Sequence, residues 1–181
     1  MLLRFENYYI VPIQIKDAYP IYDFVIDNED RLKRYFPLTL KKNLTPELSK
    51  IFVKKKVRKF QKNKEFLFTI NENNIKELLG LIYLKALDWK NKHGELAYCI
   101  GHQFEGKGIT TKAITVLTNY IFSKFDLRTL KIIVHKTNLP SILVAENCHF
   151  TWIKTLKNEH KPPGEKPLDM ELYELYKTIQ H

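Results

Sequence analysis

The stretch "GHQFEGKGITT" (101–111) places three glycines and a lysine between an alternating segment and a helical one. A loop of this composition suits a phosphate. The first N–H groups of a helix have no intrahelical partner and carry partial positive charge. Glycines at 106 and 108 let the backbone curl and leave no Cβ in a ligand's way. Gly101-x-x-x-x-Gly106-Lys107 fills seven positions of a nucleotide triphosphatase loop. The eighth should be a Ser or Thr that binds magnesium, and here it is Gly108. Thr110 and Thr111 come too late, and the next strand, "TLKIIVHK", carries no carboxylate. Nor are Gly101, Gly106 and Gly108 spaced as a dinucleotide fingerprint.

Two flanking segments carry further chemistry. In "GELAYCIG" (94–101) strand alternation puts Glu95, Ala97 and Cys99 on one face and Leu96, Tyr98 and Ile100 on the other. A carboxylate followed by two small residues leaves room for a ligand. In "LPSILVAENC" (139–148) Pro140 suits a first helical turn, with Asn138 as the N-cap. His102 and His149 lie beside these segments and read as structural. Cys99 and Cys148 have neither metal-ligand spacing nor a disulfide framework, so a reducing cytoplasm is the simplest expectation.

The elements that must position these residues follow from periodicity. "NYYIVPIQI" (7–15) reads as a first strand. Residues 16–36 read as two helices broken at Asp27-Asn28, with Asp17 capping the first and Pro37 stopping the second. Thr45-Pro46 opens a basic helix whose apolar stripe is Leu48, Phe52, Val53, Val57 and Phe60. Strands are expected at 65–72, 78–88 and 94–101, with "NN" turning after the first and "NKHG" joining the last two as a hairpin. A helix (108–125), a strand (129–136), a helix (139–148) and strands at 149–158 and 170–179 complete the chain, the last two separated by the turn-rich "EHKPPGEKP". Strands meander and then alternate with helices, which indicates a mixed α+β domain.

The chain has 181 residues, enough for one domain with a real core, and is 44% hydrophobic and 13% aromatic. No apolar run approaches the ~18 residues of a membrane span. The first residues lack the pattern of a signal peptide. Thirty Lys and Arg against twenty Asp and Glu give a formal charge of +10, which favours an anionic partner.

Read from Gln103, the loop becomes Gln103-x-x-Gly106-x-Gly108, which resembles the acyl-coenzyme A pyrophosphate loop of the GNAT N-acetyltransferase superfamily. "NLPSILVAENCHF" (138–150) resembles N-x-x-S-x-x-V-A-E-K-x-G-F of the branch that contains the ribosomal-protein N-terminal acetyltransferases. "GELAYCIG" resembles the A-E-I-G-Y-x-I strand of that branch, and "YFP" (35–37) its aromatic-Pro feature. The likeness is firm over residues 78–157. Ala97, Asn147 and His149 depart from the pattern, and Ala145 stands where many members have a Tyr read as general acid.

The resemblance implies a single domain over 1–181. Its sheet would be mostly antiparallel, with about seven strands, splayed between the fourth and fifth and flanked by helices. It implies acetyl-CoA as co-substrate, no metal, and direct attack of an amine on the thioester. Glu95 would be the base and Ser141 would donate to the leaving thiolate. The pyrophosphate would lie on backbone amides from Glu105 through Gly106, Lys107, Gly108 and Ile109 to Thr110, with Gln103 and Phe104 completing the loop. The pantetheine arm would run beside Cys99 and Ile100, with Asn138 and Ser141 near its end. The expected acceptor is a protein N-terminal amine, of a ribosomal or acidic protein, with a small amine as the alternative. A basic RNA-binding protein, and a CoA-binding protein without turnover, are the other readings. Monomer and homodimer stay open.

Overall fold

The computed structural model describes residues 1–73 and 77–178. The second Asn of the "NN" turn and the end of the last expected strand lie outside the described residues. Among the described residues one eight-stranded sheet runs in the order β1-β2-β3-β4-β5-β6-β8-β7. Its strands are β1 (Leu3–Phe5), β2 (Tyr8–Pro12), β3 (Phe66–Glu72), β4 (Leu78–Asp88), β5 (His93–Ile100), β6 (Thr129–Val134), β7 (Thr151–His160) and β8 (Leu168–Tyr176). The helices are α1 (Ala18–Asp27), α2 (Glu29–Tyr35), α3 (Pro37–Lys41), α4 (Pro46–Gln61), α5 (Ile109–Lys124) and α6 (Leu139–Asn147).

The helices cover both faces, which is why β3 and β4 are apolar almost throughout. Phe66, Phe68, Ile82, Leu84 and Leu96 pack with Ile114, Leu117 and Ile121 of α5. Leu67, Leu81 and Tyr83 pack on the other side with Ile21, Phe24 and Val25 of α1 and Phe52 and Val53 of α4.

Several local expectations are revised. Pro37 follows the end of α2, as expected, and is also the first residue of α3, where its missing N–H has no consequence. Asp17 stands at the N-cap of α1, but its carboxylate accepts from the Gln14 N–H (2.7 Å), upstream of the helix. Thr45 does cap α4, accepting from the Leu48 N–H at 3.3 Å. Leu48 itself is exposed, and Ser49 is buried in its place with its hydroxyl donating to Asn43 Oδ1 (2.8 Å). β7 runs on to His160 through what read as a turn. The short β1 adds one strand to the seven expected.

The feature that shapes the molecule lies between β5 and β6. They pair in parallel from His93↔Thr129 to Leu96↔Ile132 and then part. Beyond that point Ala97, Tyr98, Cys99 and Ile100 stay paired with β4, while Ile133 and Val134 stay paired with β8. The sheet therefore opens as a V whose one arm ends at the glycine loop. Without β1, these are the fourth and fifth strands, where the resemblance implies the splay.

Candidate active site

The loop begins where the Gly101 N–H donates to the Leu79 carbonyl (2.8 Å), closing the end of β5. A single 3-10 turn, His102–Phe104, follows. Gly106 (φ 70°) and Gly108 (φ 72°) then adopt left-handed backbone that L side chains rarely take, and a Cβ on either would point into open space. Gly108 is the N-cap of α5 and offers no side-chain cap, so the first amides of that helix face outward. An oxyanion suits this cradle, through N–H groups and the helix dipole together.

The loop is pinned from the other face of the sheet. Asn28, buried at the break between α1 and α2, donates to the Phe24 carbonyl (2.8 Å) and accepts the His102 N–H (2.9 Å). Arg31 pairs with Glu105 and donates to the Ile100 carbonyl at 3.4 Å. Gln103 is turned outward, donating to Glu77 Oε1 (2.8 Å), and the Lys107 ammonium lies 5.4 Å from the centre of the Phe104 ring. Neither Gln103 nor Lys107 lines the cleft below, whereas Phe104, Glu105, Gly106, Gly108, Ile109 and Thr110 do.

From this loop a cleft of about 1000 Å³ runs along the opening between β5 and β6. It brings together the separated segments: Glu95, Cys99 and Ile100 on β5, and Asn138 and Ser141 at the start of α6. Asn138 Oδ1 accepts the Ser141 N–H at 3.4 Å, and the Tyr98 hydroxyl donates to the Ser141 carbonyl at 3.0 Å. Tyr98 thus ties the start of α6 to β5 across the gap. Glu95 forms an ion pair with Lys85 of β4, Oε1 to Nζ 2.6 Å. Its strand neighbours Ala97 and Cys99 stand opposite Tyr83 and Leu81. Burial pushes the Cys99 thiol up to about 12, so this side chain is a wall and not a nucleophile.

Several lining residues escape a reading of the sequence. Buried Tyr83 shares a 2.9 Å hydrogen bond with the Thr39 hydroxyl and stacks on Phe36, and burial raises its phenol pKa well above the usual range. Lys56 and Lys59 both bond Glu65. His135, at the end of β6, and His160, at the end of β7, flank Tyr35 at ring distances of 6.4 and 6.2 Å. The Thr137 N–H donates to His135 Nδ1 (3.3 Å), and burial, reinforced by Arg34 and Lys136, lowers the imidazole pKa. His102 and His149 stay outside the lining. His149 holds a φ of 63°, at the position where the resembled motif has glycine. Ala145 is fully buried, so no hydroxyl enters from that position. Among the described residues no cluster could hold a metal, and no helix is long and apolar enough to cross a membrane.

Comparison with known proteins agrees with this geometry. The Acetyltransferase (GNAT) domain profile matches residues 8–151. A protein named for ribosomal N-acetylation, YdaF of Bacillus subtilis (strain 168), is 38% identical over 73 residues, 40% of each chain. The N-acetyltransferase p20 of Bacillus licheniformis is 26% identical over 110 residues, 61% of each chain, so the chain spans less than two thirds of these two relatives. YjcK of Bacillus subtilis (strain 168), named as a probable N-acetyltransferase, aligns at 22% identity over 82% of this chain and 83% of its own. Among solved structures, the ribosomal-protein-S5-alanine acetyltransferase of Vibrio fischeri superposes with a TM-score of 0.90 at 21% identity, covering 97% of this chain and 96% of that one. The ribosomal L7/L12 alpha-N-protein acetyltransferase RimL in complex with coenzyme A gives 0.88 at 19% identity, over 97% and 98%. At these identities the structures speak for the fold. The profile spans well over half of the sequence, and the chain belongs to the GNAT acetyltransferase family.

Proposed function

We propose that the chain transfers an acetyl group from acetyl-CoA directly to a primary amine, and that the amine is a protein N-terminus. One observation carries this reading: a phosphate cradle at the head of an opened sheet edge, with a carboxylate beside the far end of that edge. Acetyl-CoA fits what is present, because its pyrophosphate needs several N–H donors and no Cβ at Gly106 and Gly108. It supplies the activated acyl thioester.

The remaining work falls to the chain's own residues. Amides from Glu105 to Thr110 hold the pyrophosphate. The edge of β5 at Cys99 and Ile100 offers main-chain groups to the pantetheine amides. A protonated amine is no nucleophile, so a base must take its proton, and Glu95 is the carboxylate that faces the cleft from β5. The Ser141 hydroxyl donates to the leaving thiolate, and Asn138 orients the turn that presents it. The protein acceptor draws support from YdaF and from the ribosomal-protein acetyltransferases of the same fold.

The test is an acceptor screen that follows free-thiol release from acetyl-CoA, with peptides of different first residue beside small amines, amino acids and polyamines. Turnover on peptides with a free α-amine and none on their N-blocked forms is expected. Turnover confined to small amines would replace the acceptor. No thermal stabilisation by CoA or acetyl-CoA at saturating concentration, where about 2.7 kcal/mol is expected at a hundred times Kd, would remove the reading altogether.

A further inference from the structure

A second feature lies outside the acetyl-transfer cleft, on the outer side of α4. Lys54, Lys55, Arg58, Lys59, Lys62 and Lys64 line an open depression of about 470 Å³, and among the described residues no other residue type lines it. Of the six, only Lys59 enters an ion pair among the described residues, with Glu65. Concentrating like charges within eleven residues costs self-repulsion, which an anionic ligand relieves. Lys54 and Arg58, with Lys62 just past the helix end, recur every fourth residue, a rise of about 6 Å per step. The cations therefore form a file along the helix.

Trp89 supplies an independent observation. It stands near the end of the hairpin between β4 and β5, 41% exposed. Its indole N–H donates to the Asn63 carbonyl at 3.3 Å, which holds the ring beside the chain that links Lys62 to Lys64. One side packs on Phe125, ring centres 6.0 Å apart. An exposed indole bordering a cationic trough is the combination that single-stranded nucleic acids use, phosphates on the cations and a base on the ring.

We infer that this surface binds single-stranded RNA. An acidic polypeptide is disfavoured because protein interfaces are poor in lysine, and this depression is lined by lysine and arginine. The choice of RNA over DNA rests on the ribosomal acceptor proposed above; the charge and stacking arguments stand without it. Lys59 also lines the acetyl-transfer cleft, so the two sites adjoin. RNA bound here would lie beside the part of the cleft that Lys59 lines.

The test uses the full chain and a fluorescein-labelled twelve-residue oligouridine, read by anisotropy across a salt series. For a strand neutralising about four phosphates, log K should fall with log salt at a slope near −3, at roughly −0.7 per phosphate. Lys54→Glu with Arg58→Glu should weaken binding at least about tenfold at low salt and flatten the slope by about 1.4. Both side chains are exposed and outside the cleft, so stabilisation by CoA should not change. Trp89→Ala should cost about five- to a hundredfold, one stacked base. Since that variant also loses packing on Phe125, the charge reversal decides the matter. Binding that ignores the charge reversal, or no binding at low salt, overturns the inference. Polyglutamate binding as tightly as the oligouridine assigns the surface to acidic protein instead, and oligodeoxythymidine binding as tightly overturns the choice of RNA. Failure of CoA to stabilise the unmodified chain would count against acetyl transfer and leave the RNA result intact.

Discussion

Glu95 and Lys85 face each other across the antiparallel pair of β5 and β4, carboxylate to ammonium at 2.6 Å. The carboxylate side chain is 15% exposed and the ammonium side chain 42%. In the proposed reaction an acceptor amine at Glu95 would meet a site already shaped for a cation, whose resident cation is the more exposed partner.

The pair can be dissected. Glu95→Gln should lower kcat by roughly 10²- to 10⁴-fold, the range for losing a general base. The deficit should widen as pH falls, because the variant must wait for amine that solvent has deprotonated. Lys85→Met should cost about fivefold or less, since such a half-exposed pair is worth about 1 kcal/mol at most. Equal losses in the two variants would make Glu95 an ion-pair partner and nothing more. Steady-state rates from pH 6 to 9 make the comparison.

Gly108→Ala should separate binding from stability. A left-handed L residue costs about 1–2 kcal/mol, visible as a modest drop in Tm. Its Cβ would also stand where a phosphate approaches, so the Kd for CoA should rise about tenfold or more, by titration calorimetry, for the loss of about 1.4 kcal/mol of contact. An unchanged Kd would move the pyrophosphate elsewhere.

Cys99 should be chemically quiet. With its thiol at about 12, the thiolate fraction at pH 8 is on the order of 10⁻⁴, and alkylation should run roughly a thousandfold slower than for a free cysteine. Cys99→Ala should turn over within a few fold of the parent. Rapid labelling by iodoacetamide, followed by mass spectrometry, would contradict the raised thiol.

Glu65 should govern acid stability. Burial opposes its charge, but the hydrogen bonds from Lys56 and Lys59 outweigh that and hold the carboxyl below its ordinary 4.5. The unfolded chain therefore takes up this proton first as pH falls. The contribution is complete above 4.5 and disappears as pH drops through the depressed value. Glu65→Gln should cost about 2–3 kcal/mol at pH 7, near the low end for a broken buried pair because Lys59 is partly open, and should show a shallower acid transition. Urea melts at pH 7, 5 and 3.5 would measure both.

What could be read from the sequence was local. Left-handed backbone needs glycine at 106 and 108, and strand alternation puts Glu95 and Cys99 on one face, so the loop and its upstream wall are visible without any tertiary contact. The "YFP" proline marks the end of α2 in the sequence but not the start of α3, because a residue that stops one helix can also open the next. β1 left no sign, since its hairpin turns through Glu6 at φ 48° without an Asn-Gly or Asp-Gly signal. Asn28 reads only as a helix break until its side chain is found on the His102 amide, seventy-four residues away. Tyr83, His135 and His160 enter the cleft through strand pairing and through the parting of β5 from β6, and neither is encoded in neighbouring residues.

That parting has a kinetic consequence. Among the described residues only four residue pairs join the β1–β5 half of the sheet to the β6–β8–β7 half. A ligand that bonds along the bare edge of β5 acts as a short extra strand and couples the two halves mechanically. Glu95 is on one half and Ser141 follows the other. Tyr98 already ties Ser141 to β5, and filling that edge adds a second link that stiffens the shape offered to an acceptor. Acetyl donor first and amine second is the order of addition this architecture favours, and amide hydrogen exchange in β6 should slow when the donor binds.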